Sequence, residues 1–220
     1  PDDPNQAKSL LTITNLGSSN QPVYVYDLLN HKRIAAVTRT NDIAALVTNG
    51  GNKQIFIAAA AGFNTVNVLE AVNSTGTFVD YLAIPHDSAF LLVTHKSLMP
   101  VATDYRSYRS SFAGGSHNVL LADINDLYDQ FGYGIVQHPL SIRHFADYIY
   151  DNAAVAPRNL FLLGKSMAYG YNKLSPSIFQ ANLVPTFGYP ASDNLFTSGL
   201  NGTQWQCAIP TGRLAARDST

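Results

Sequence analysis

The sequence has 220 residues, of which 46% are hydrophobic, so the chain is long and apolar enough to bury a packed core. Only 13% of the residues are charged and the formal net charge is -1, which gives no electrostatic case for binding nucleic acid or an anionic membrane surface. The single cysteine, Cys207, excludes an internal disulfide and a cysteine-based zinc cluster, and no apolar run reaches the roughly 18 residues of a membrane span.

Residues 1–84 are predicted to form a small all-β, sandwich-like region. The alternation in "LTIT" and "VYVY" predicts two early strands, and the segment beginning at Asn30 is typical of a turn tip. Two segments rich in turn-forming residues, Asn49–Asn52 before "KQIFIA" and Asn73–Gly76 before "TFVDYLAI", predict further hairpins. No convincing helical period occurs here, so we expect β structure throughout.

Residues 85–220 are predicted to form an α/β subdomain. The predicted strands are "FLLVTH", "HNVLLADI", "RNLFLLG" and a last strand in "CAIPTGRLA". One helix is predicted in "HPLSIRHFADYIYDNA", with Pro139 in its first turn. Another, ending at Gly114-Gly115, has an apolar stripe at helical spacing formed by Val101, Tyr105, Tyr108 and Phe112. This alternation predicts a parallel sheet covered by helices.

The third predicted strand runs into Gly164-Lys-Ser, which raises the possibility of a phosphate-binding loop. Such a loop needs a glycine five places before the Gly-Lys pair, and Asn159 occupies that place. The residues between are bulky and apolar, as a buried strand requires. We therefore predict a strand whose carboxyl end carries Lys165 and Ser166, at the edge of the sheet where ligands tend to bind.

Several motifs over residues 89–216 resemble the amino-terminal part of gingipain-like cysteine peptidases, peptidase family C25, which includes the sortase of the type IX secretion system. "DINDLYDQF" followed by "PLSIR" resembles a family phrase, and "RNLFLLGKS" resembles its "Y-x-L-L-x-G-D" strand. "VPTFGYPASDNLF" and "IPTGRLAA" are similar to its "V-P-T-Y … S-D-x-x-Y" loop and "I-G-R-x-P" strand. The resemblance implies a caspase/gingipain-like parallel sheet with helices on both faces, and a secreted or cell-surface bacterial protein on the exterior of the outer membrane.

In this family the catalytic pair is a histidine followed by glycine and a cysteine after a later strand, both beyond the Gly-Arg strand. None of the six histidines here precedes a glycine, and Cys207 lies before the Gly-Arg motif in a strand-like run, so we expect it to be a buried, inert thiol. The resemblance therefore implies no catalytic residue in this chain. The expected partners are a missing carboxyl-terminal catalytic half and a peptide or protein substrate.

Five residues in the resembling motifs are candidates for a role at the site. Lys165 departs from the family's aspartate and is either a solvated strand-end lysine or, with Ser166, part of a substrate rim. Asp193 and Asn194 match the family's Ser-Asp loop, where an aspartate either caps a turn or lines the rim. We interpret Arg213 as structural, because arginine pairs bidentately with a carboxylate and joins two elements.

No cofactor is expected, although Asp123, Asp126 and Asp129 recur every third residue and three carboxylates can hold calcium. The apolar residues between them favour a solvated helix face instead. His138 and His144, six residues apart, do not share a helix face and give little support for zinc.

The leading hypothesis is the amino-terminal fragment of an exported gingipain-like cysteine endopeptidase, inactive on its own. The alternative is a non-catalytic scaffold of the same fold, serving adhesion or secretion assembly. A carbohydrate- or protein-binding β domain fused to a decayed α/β unit is a third possibility. Half of a two-part sheet also predicts an exposed edge.

Overall fold

The computed structural model describes residues 7–15, 22–40, 42–48, 52–172, 174–202 and 204–218. The chain divides into two compact units, Pro1–Leu69 and Glu70–Thr220. The division into domains after residue 84 remains a prediction about domain organisation.

The first unit contains two antiparallel sheets. Its strands are β1 (Lys8–Thr14), β2 (Val23–Asp27), β3 (Lys32–Ile34), β4 (Ala36–Thr38), β5 (Asp42–Thr48) and β6 (Ile55–Ala59). One sheet has the order β1-β5-β4 and the other has the order β3-β2-β6. Only Ala35 separates β3 from β4, so one nearly continuous segment supplies an edge strand to each sheet. The expected β structure is confirmed up to Ala59, whereas no strand forms among residues 60–84.

The turn between β2 and β3 forms where the sequence predicts it. His31 has φ of 52°, a left-handed conformation that is uncommon for a residue with a side chain. Asp27 is buried at the start of this turn, and its carboxylate accepts hydrogen bonds from the Asn30 amide groups at 3.2 and 2.7 Å. This side-chain capping fixes the hairpin register.

The two other predicted hairpins are wrong. Residues 49–51 lie outside the described residues, but the strands around them belong to different sheets, because β5 pairs with β1 and β4 whereas β6 pairs with β2. Asn73 and Gly76 do lie in a turn with positive φ, yet no strand follows it among residues 77–84. That segment instead packs Tyr81 against the core of the second unit.

The second unit contains a parallel sheet of four strands, with order β10-β9-β7-β8. Its strands are β7 (Phe90–Thr94), β8 (Val119–Asp123), β9 (Asn159–Leu163) and β10 (Thr211–Leu214). Its helices are α1 (Met99–Ser110), α2 (Ile124–Phe131), α3 (Leu140–Asn152), α4 (Tyr169–Asn172) and α5 (Pro176–Ala181). This order confirms the predicted parallel sheet.

Helices cover both faces of the sheet, as the resemblance implied. Alternate side chains of β7 point to opposite faces, so Phe90 and Leu92 pack with Ala102 of α1. Leu91 and Val93 pack on the other face in the large core formed with α2 and α3. In the part of the chain that the structure describes, none of the helices has the length and apolar character needed to cross a membrane.

The prediction of which α1 residues face the sheet is wrong, except for Tyr105. Val101 and Tyr108 are exposed, while Phe112 lies beyond the helix end and is 95% exposed. The residues that reach the sheet are Ala102, which is fully buried, and Tyr105. A small residue at the contact lets the helix approach the sheet closely, and hydrophobicity alone did not identify it.

Candidate functional site

The sheet has a topological switch point between β7 and β9. The chain leaves β7 through α1 on one face and returns to β9 from α3 on the other face. In open α/β sheets, ligands bind at the carboxyl ends of such neighbouring strands. Here those ends lead into His95 and into Gly164-Lys165, so the structure places the predicted Lys165 and Ser166 at this edge.

His95 directly follows β7, and sequence reasoning did not single it out because it precedes lysine rather than glycine. Its Nδ1 accepts a hydrogen bond from the Ser97 backbone N–H at 3.2 Å and lies 2.8 Å from the Ser97 hydroxyl. Burial lowers the pKa of His95, opposed by the nearby charge of Asp123 and assisted by Lys96. The ring is therefore held in its neutral form near pH 7, at the position where parallel sheets bind ligands.

A cavity of about 300 Å³ opens beside His95, lined also by Asn125, Tyr128, Gln137 and Asn182. The Tyr128 hydroxyl is buried beside the backbone of Gln137. Burial first, and then the charge of Asp123, raises the pKa of Tyr128. The hydroxyl is therefore a neutral donor at every physiological pH.

A second cavity, of about 280 Å³, is lined by an amide cluster formed by Gln137, Asn172 and Asn182. The Gln137 side-chain oxygen accepts from Asn172 at 2.7 Å and from Asn182 at 2.9 Å, and its nitrogen donates to the Phe179 carbonyl at 2.6 Å. No charged side chain of the described residues lines this cavity. Uncharged amides beside an apolar wall match the chemistry of polypeptide backbone and neutral side chains.

Arg213 on β10 connects three segments of this edge. Its guanidinium donates two hydrogen bonds to the Asp193 carboxylate, at 2.7 and 2.8 Å. The remaining donors bind the carbonyls of Gly164 and Val184, both at 2.8 Å, and of Pro185 at 2.9 Å. All five N–H donors of the guanidinium are therefore used, and the side chain is only 10% exposed.

Gly164 makes the close approach between β9 and the following loop possible. Its φ is +152°, and a Cβ atom at this position would lie 2.7 Å from the Val184 side chain. The next residue, Lys165, donates its backbone N–H to the Ala216 carbonyl at 2.7 Å, and its own carbonyl accepts from Leu183 and Val184. The Lys165 backbone is thus fixed, while its side chain is half-buried.

The rim candidates lie in one loop system but differ in what their side chains do. Both carboxylate oxygens of Asp193 are bound by Arg213. Asn194 is exposed, and its backbone carbonyl accepts from the Cys207 thiol at 3.5 Å. Ser166 is half-buried beside Lys165. The rim role of these residues stays a prediction.

Cys207 is exposed, so the expectation of a buried thiol is wrong. It pairs with Ser198 in an isolated bridge rather than in a strand, because the predicted last strand begins only at Thr211. Among the described residues, its thiol bonds to a backbone carbonyl and to no imidazole.

The three aspartates considered for calcium lie along α2, with Asp123 at its N-cap, Asp126 in its first turn and Asp129 near its end. Asp123 caps the helix by accepting from the Asn125 backbone N–H at 3.0 Å and from its side chain at 2.8 Å. Burial and the neighbouring charges of Asp123 and Asp129 raise the pKa of Asp126. In the described ranges, no three His, Cys, Asp or Glu side chains are grouped so that they could hold a metal ion.

Comparison with known proteins identifies the family. The model of peptidase family C25 matches residues 84–220, which is more than half of the chain. The chain belongs to peptidase family C25. No curated protein sequence matches it.

A solved structure has a similar fold. Dimeric latent PorU from Porphyromonas gingivalis superposes with a TM-score of 0.61 at 17% sequence identity, over 96% of this chain and 22% of that one. The chain therefore spans about a fifth of the length of this relative. The C25 match covers the parallel sheet, the switch point and the Arg213 strand.

Proposed function

We propose that this C25 chain is the amino-terminal part of an exported gingipain-like cysteine endopeptidase, whose histidine and cysteine lie in polypeptide beyond residue 220. The observation that carries the proposal is the place of β10, which contains the Gly-Arg motif. β10 is an edge strand that pairs only with β9 among the described residues, so its other edge is available to further parallel strands. In the family motif, the catalytic strands follow this strand.

In such an enzyme a cysteine thiolate attacks the scissile carbonyl and histidine serves as the base, with backbone N–H groups stabilising the oxyanion. The residues of this chain would position the substrate. Arg213 holds the loop of residues 184–193 against the end of β9, and the Asn172 side-chain oxygen, which has no hydrogen-bond partner among the described residues, would accept from a polypeptide N–H. Asn194, Lys165 and Ser166 would form the rim, while Asp193 holds Arg213.

Secretion to the cell surface, and the link to type IX secretion, are part of the same proposal. Their support is the C25 family and the PorU-like fold. Low charge content, at 13%, agrees with an extracellular protein.

The test compares the product of the whole gene with the 220-residue chain on a library of fluorogenic peptides. We expect turnover by the whole product, blocked by a thiol-alkylating inhibitor, and none by the chain alone. Cys207→Ser in the whole product serves as the matched control and should leave both turnover and its inhibition unchanged. Loss of activity in Cys207→Ser, or turnover by the chain alone, would contradict the assignment.

The second candidate is a non-catalytic scaffold of the same fold, for adhesion or secretion assembly. Lys165 favours it, because an ammonium group stands at the end of β9 where the family motif has a carboxylate, and it cannot ligate a cation or accept hydrogen bonds. A folded whole-gene product without turnover, and without a histidine-glycine pair after residue 220, is the result that this candidate predicts.

A further inference from the structure

The first unit contains a cavity of about 590 Å³ that none of the motifs above explains. It lies on one face of the β1-β5-β4 sheet, with a wall formed by β3, and all its lining residues belong to Pro1–Leu69. We call it the β-face cavity. Its volume is in the range of ordinary ligand sites.

The floor of the β-face cavity is apolar and open. Leu10 lies directly opposite Leu46 in the β1-β5 register, and Val37 lies opposite Ala44 in the β4-β5 register. Leu10 and Leu46 are each 57% exposed and Val37 is 64% exposed. Large aliphatic side chains on one continuous face favour burial against a partner.

The rim of the β-face cavity is strongly basic. Residues 1–69 contain five lysine and arginine residues, and four of them line this cavity: Lys8, Lys32, Arg33 and Arg39. The one acidic lining residue of the described part is Asp27, which is buried and hydrogen-bonded to Asn30. The Arg39 guanidinium lies 3.9 Å from the Asp42 carboxylate, with the two side chains 52% and 23% exposed, so a partly exposed and long ion pair offsets only part of the Arg39 charge.

Two of these four cations, Lys8 and Arg39, lie at opposite ends of the apolar floor, whereas Lys32 and Arg33 belong to the β3 wall. Lys8 is in register with Thr48 at one end of β5, and the Arg39 backbone N–H binds the Asp42 carbonyl at the other end. Thr48 and Asp42 are six residues apart along one strand, so the two ends are separated by roughly 20 Å. The apolar side chains lie between them.

We propose that the β-face cavity binds an extended polypeptide segment with large apolar side chains at its centre and aspartate or glutamate at both ends. Side chains on one face of an extended peptide repeat every ~7 Å, the same spacing as the floor residues of β5. A segment of about seven residues covers the distance between the two cationic ends. A lipid with one anionic head group could contact only one of the two cationic ends of the cavity.

The binding test uses the 220-residue chain, needs no peptidase activity and is therefore independent of the proposed function. The probe is a fluorescein-labelled peptide, Asp-Ser-Leu-Ser-Leu-Ser-Asp, measured by fluorescence anisotropy. One comparison peptide has lysine at both ends and another has serine in place of both leucines. We expect only the first peptide to bind, with affinity falling as salt rises toward ~0.15 M.

Variants locate the binding surface. Lys8→Glu combined with Arg39→Glu should weaken binding of the acidic peptide about tenfold and favour the lysine-ended peptide, whereas Arg106→Glu on exposed α1 should change neither. Val37→Ser should weaken binding severalfold, while Val68→Ser, at a valine that is 71% exposed and does not line the cavity, serves as its control. Circular dichroism checks that each variant is folded.

Three results would overturn the proposal. The first is equal binding of the acidic and lysine-ended peptides. The second is association with vesicles of anionic phospholipid, without peptide binding, that Lys8→Glu with Arg39→Glu abolishes. The third is self-association in sedimentation velocity that Val37→Ser abolishes, which would make a second copy of the chain the occupant.

Discussion

The two units use the same residue types but bury them very differently. In the second unit, side chains from both faces of the parallel sheet are excluded from water, including Leu91, Leu92, Phe145 and Ile149 at 0% exposure. In the described part of the first unit, the buried apolar residues are few and mostly small: Val25, Ile43, Ala44 and Ala45. Packing therefore stabilises the α/β unit, whereas the β unit depends more on its strand ladders and leaves more of its apolar area exposed to solvent.

Removing a large core side chain from the second unit should have the largest effect. Phe145 is fully buried, with its ring 4.9 Å from that of Tyr81 and 5.7 Å from that of Phe131. Phe145→Ala should lower the free energy of unfolding by about 4 kcal/mol, measured by urea denaturation. Phe112→Ala, at the 95% exposed phenylalanine, is the control and should change it by less than about 0.5 kcal/mol. Equal losses of unfolding free energy in Phe145→Ala and Phe112→Ala would contradict the conclusion that its packed core stabilises the second unit.

Arg213→Met should lower the free energy of unfolding by about 3 kcal/mol, somewhat less than Phe145→Ala. The substitution leaves the Asp193 carboxylate and three backbone carbonyls without their hydrogen-bond donor. In a double-mutant cycle with Asp193→Asn, the two losses should be strongly non-additive. Arg106→Met, on the exposed side of α1, is the matched control. If the two losses of unfolding free energy are additive, Arg213 and Asp193 are not energetically coupled, and their ion pair does not hold the 184–193 loop in place.

Ile43→Ala measures how much a buried side chain contributes to the stability of the first unit. Ile43 is 3% exposed and in register with Ile13 of β1. We expect a loss of about 2 kcal/mol, at the low end for such a change, because a small core relaxes around the cavity. Hydrogen exchange should accelerate in β1 and β5 while β7 and β9 keep their protection. Uniform acceleration would mean that the two units unfold as one.

The smallest expected effect depends on pH. Arg109 donates to the His117 Nε2 at 2.7 Å, and burial together with the charges of Arg109 and Arg158 lowers the pKa of His117 below its usual value. The unfolded state then binds the proton first, so stability is full above the ordinary histidine pKa and falls as pH drops below about 6.5. His117→Gln should reduce the difference between urea midpoints at about pH 8 and about pH 5. An unchanged difference would contradict the assignment.

The sequence predicts the second unit better than the first, and the reason is physical. The apolar strands β7, β8 and β9, and the helical spacing of the buried Ile142, Phe145 and Ile149 in α3, are local patterns that are visible in the sequence. By contrast, the residue types of Asn49–Asn52 correctly indicate a break between strands, but no local sequence pattern indicates that β6 pairs with β2 rather than with β5. Residues 79–84 are predicted to be a strand because they are mostly apolar. In the structure they pack against the core of the second unit without pairing with another strand.

At the candidate site, the sequence identifies charged residues and misses the groups that they bind. Arg213 is visible in its motif, but the carbonyls of Gly164, Val184 and Pro185 carry no sequence signal. His95 has no signal in the sequence, because its position after β7, rather than its neighbours in sequence, places it at the switch point. The last strand is predicted to include Cys207, but it begins only at Thr211, and Cys207 makes an isolated bridge and is exposed.

The hydrogen bonds of Arg213 also order events during synthesis. Every acceptor that it reaches precedes it in the chain, by 20 residues for Asp193 and by 49 for Gly164. While a nascent polypeptide ends before this arginine, or still holds it inside the ribosomal tunnel, the turn after β9 and the loop leading to Asp193 lack their common donor. The carboxyl edge of the sheet therefore reaches its final arrangement only when β10 emerges, well after β7 and β8 are free to pair.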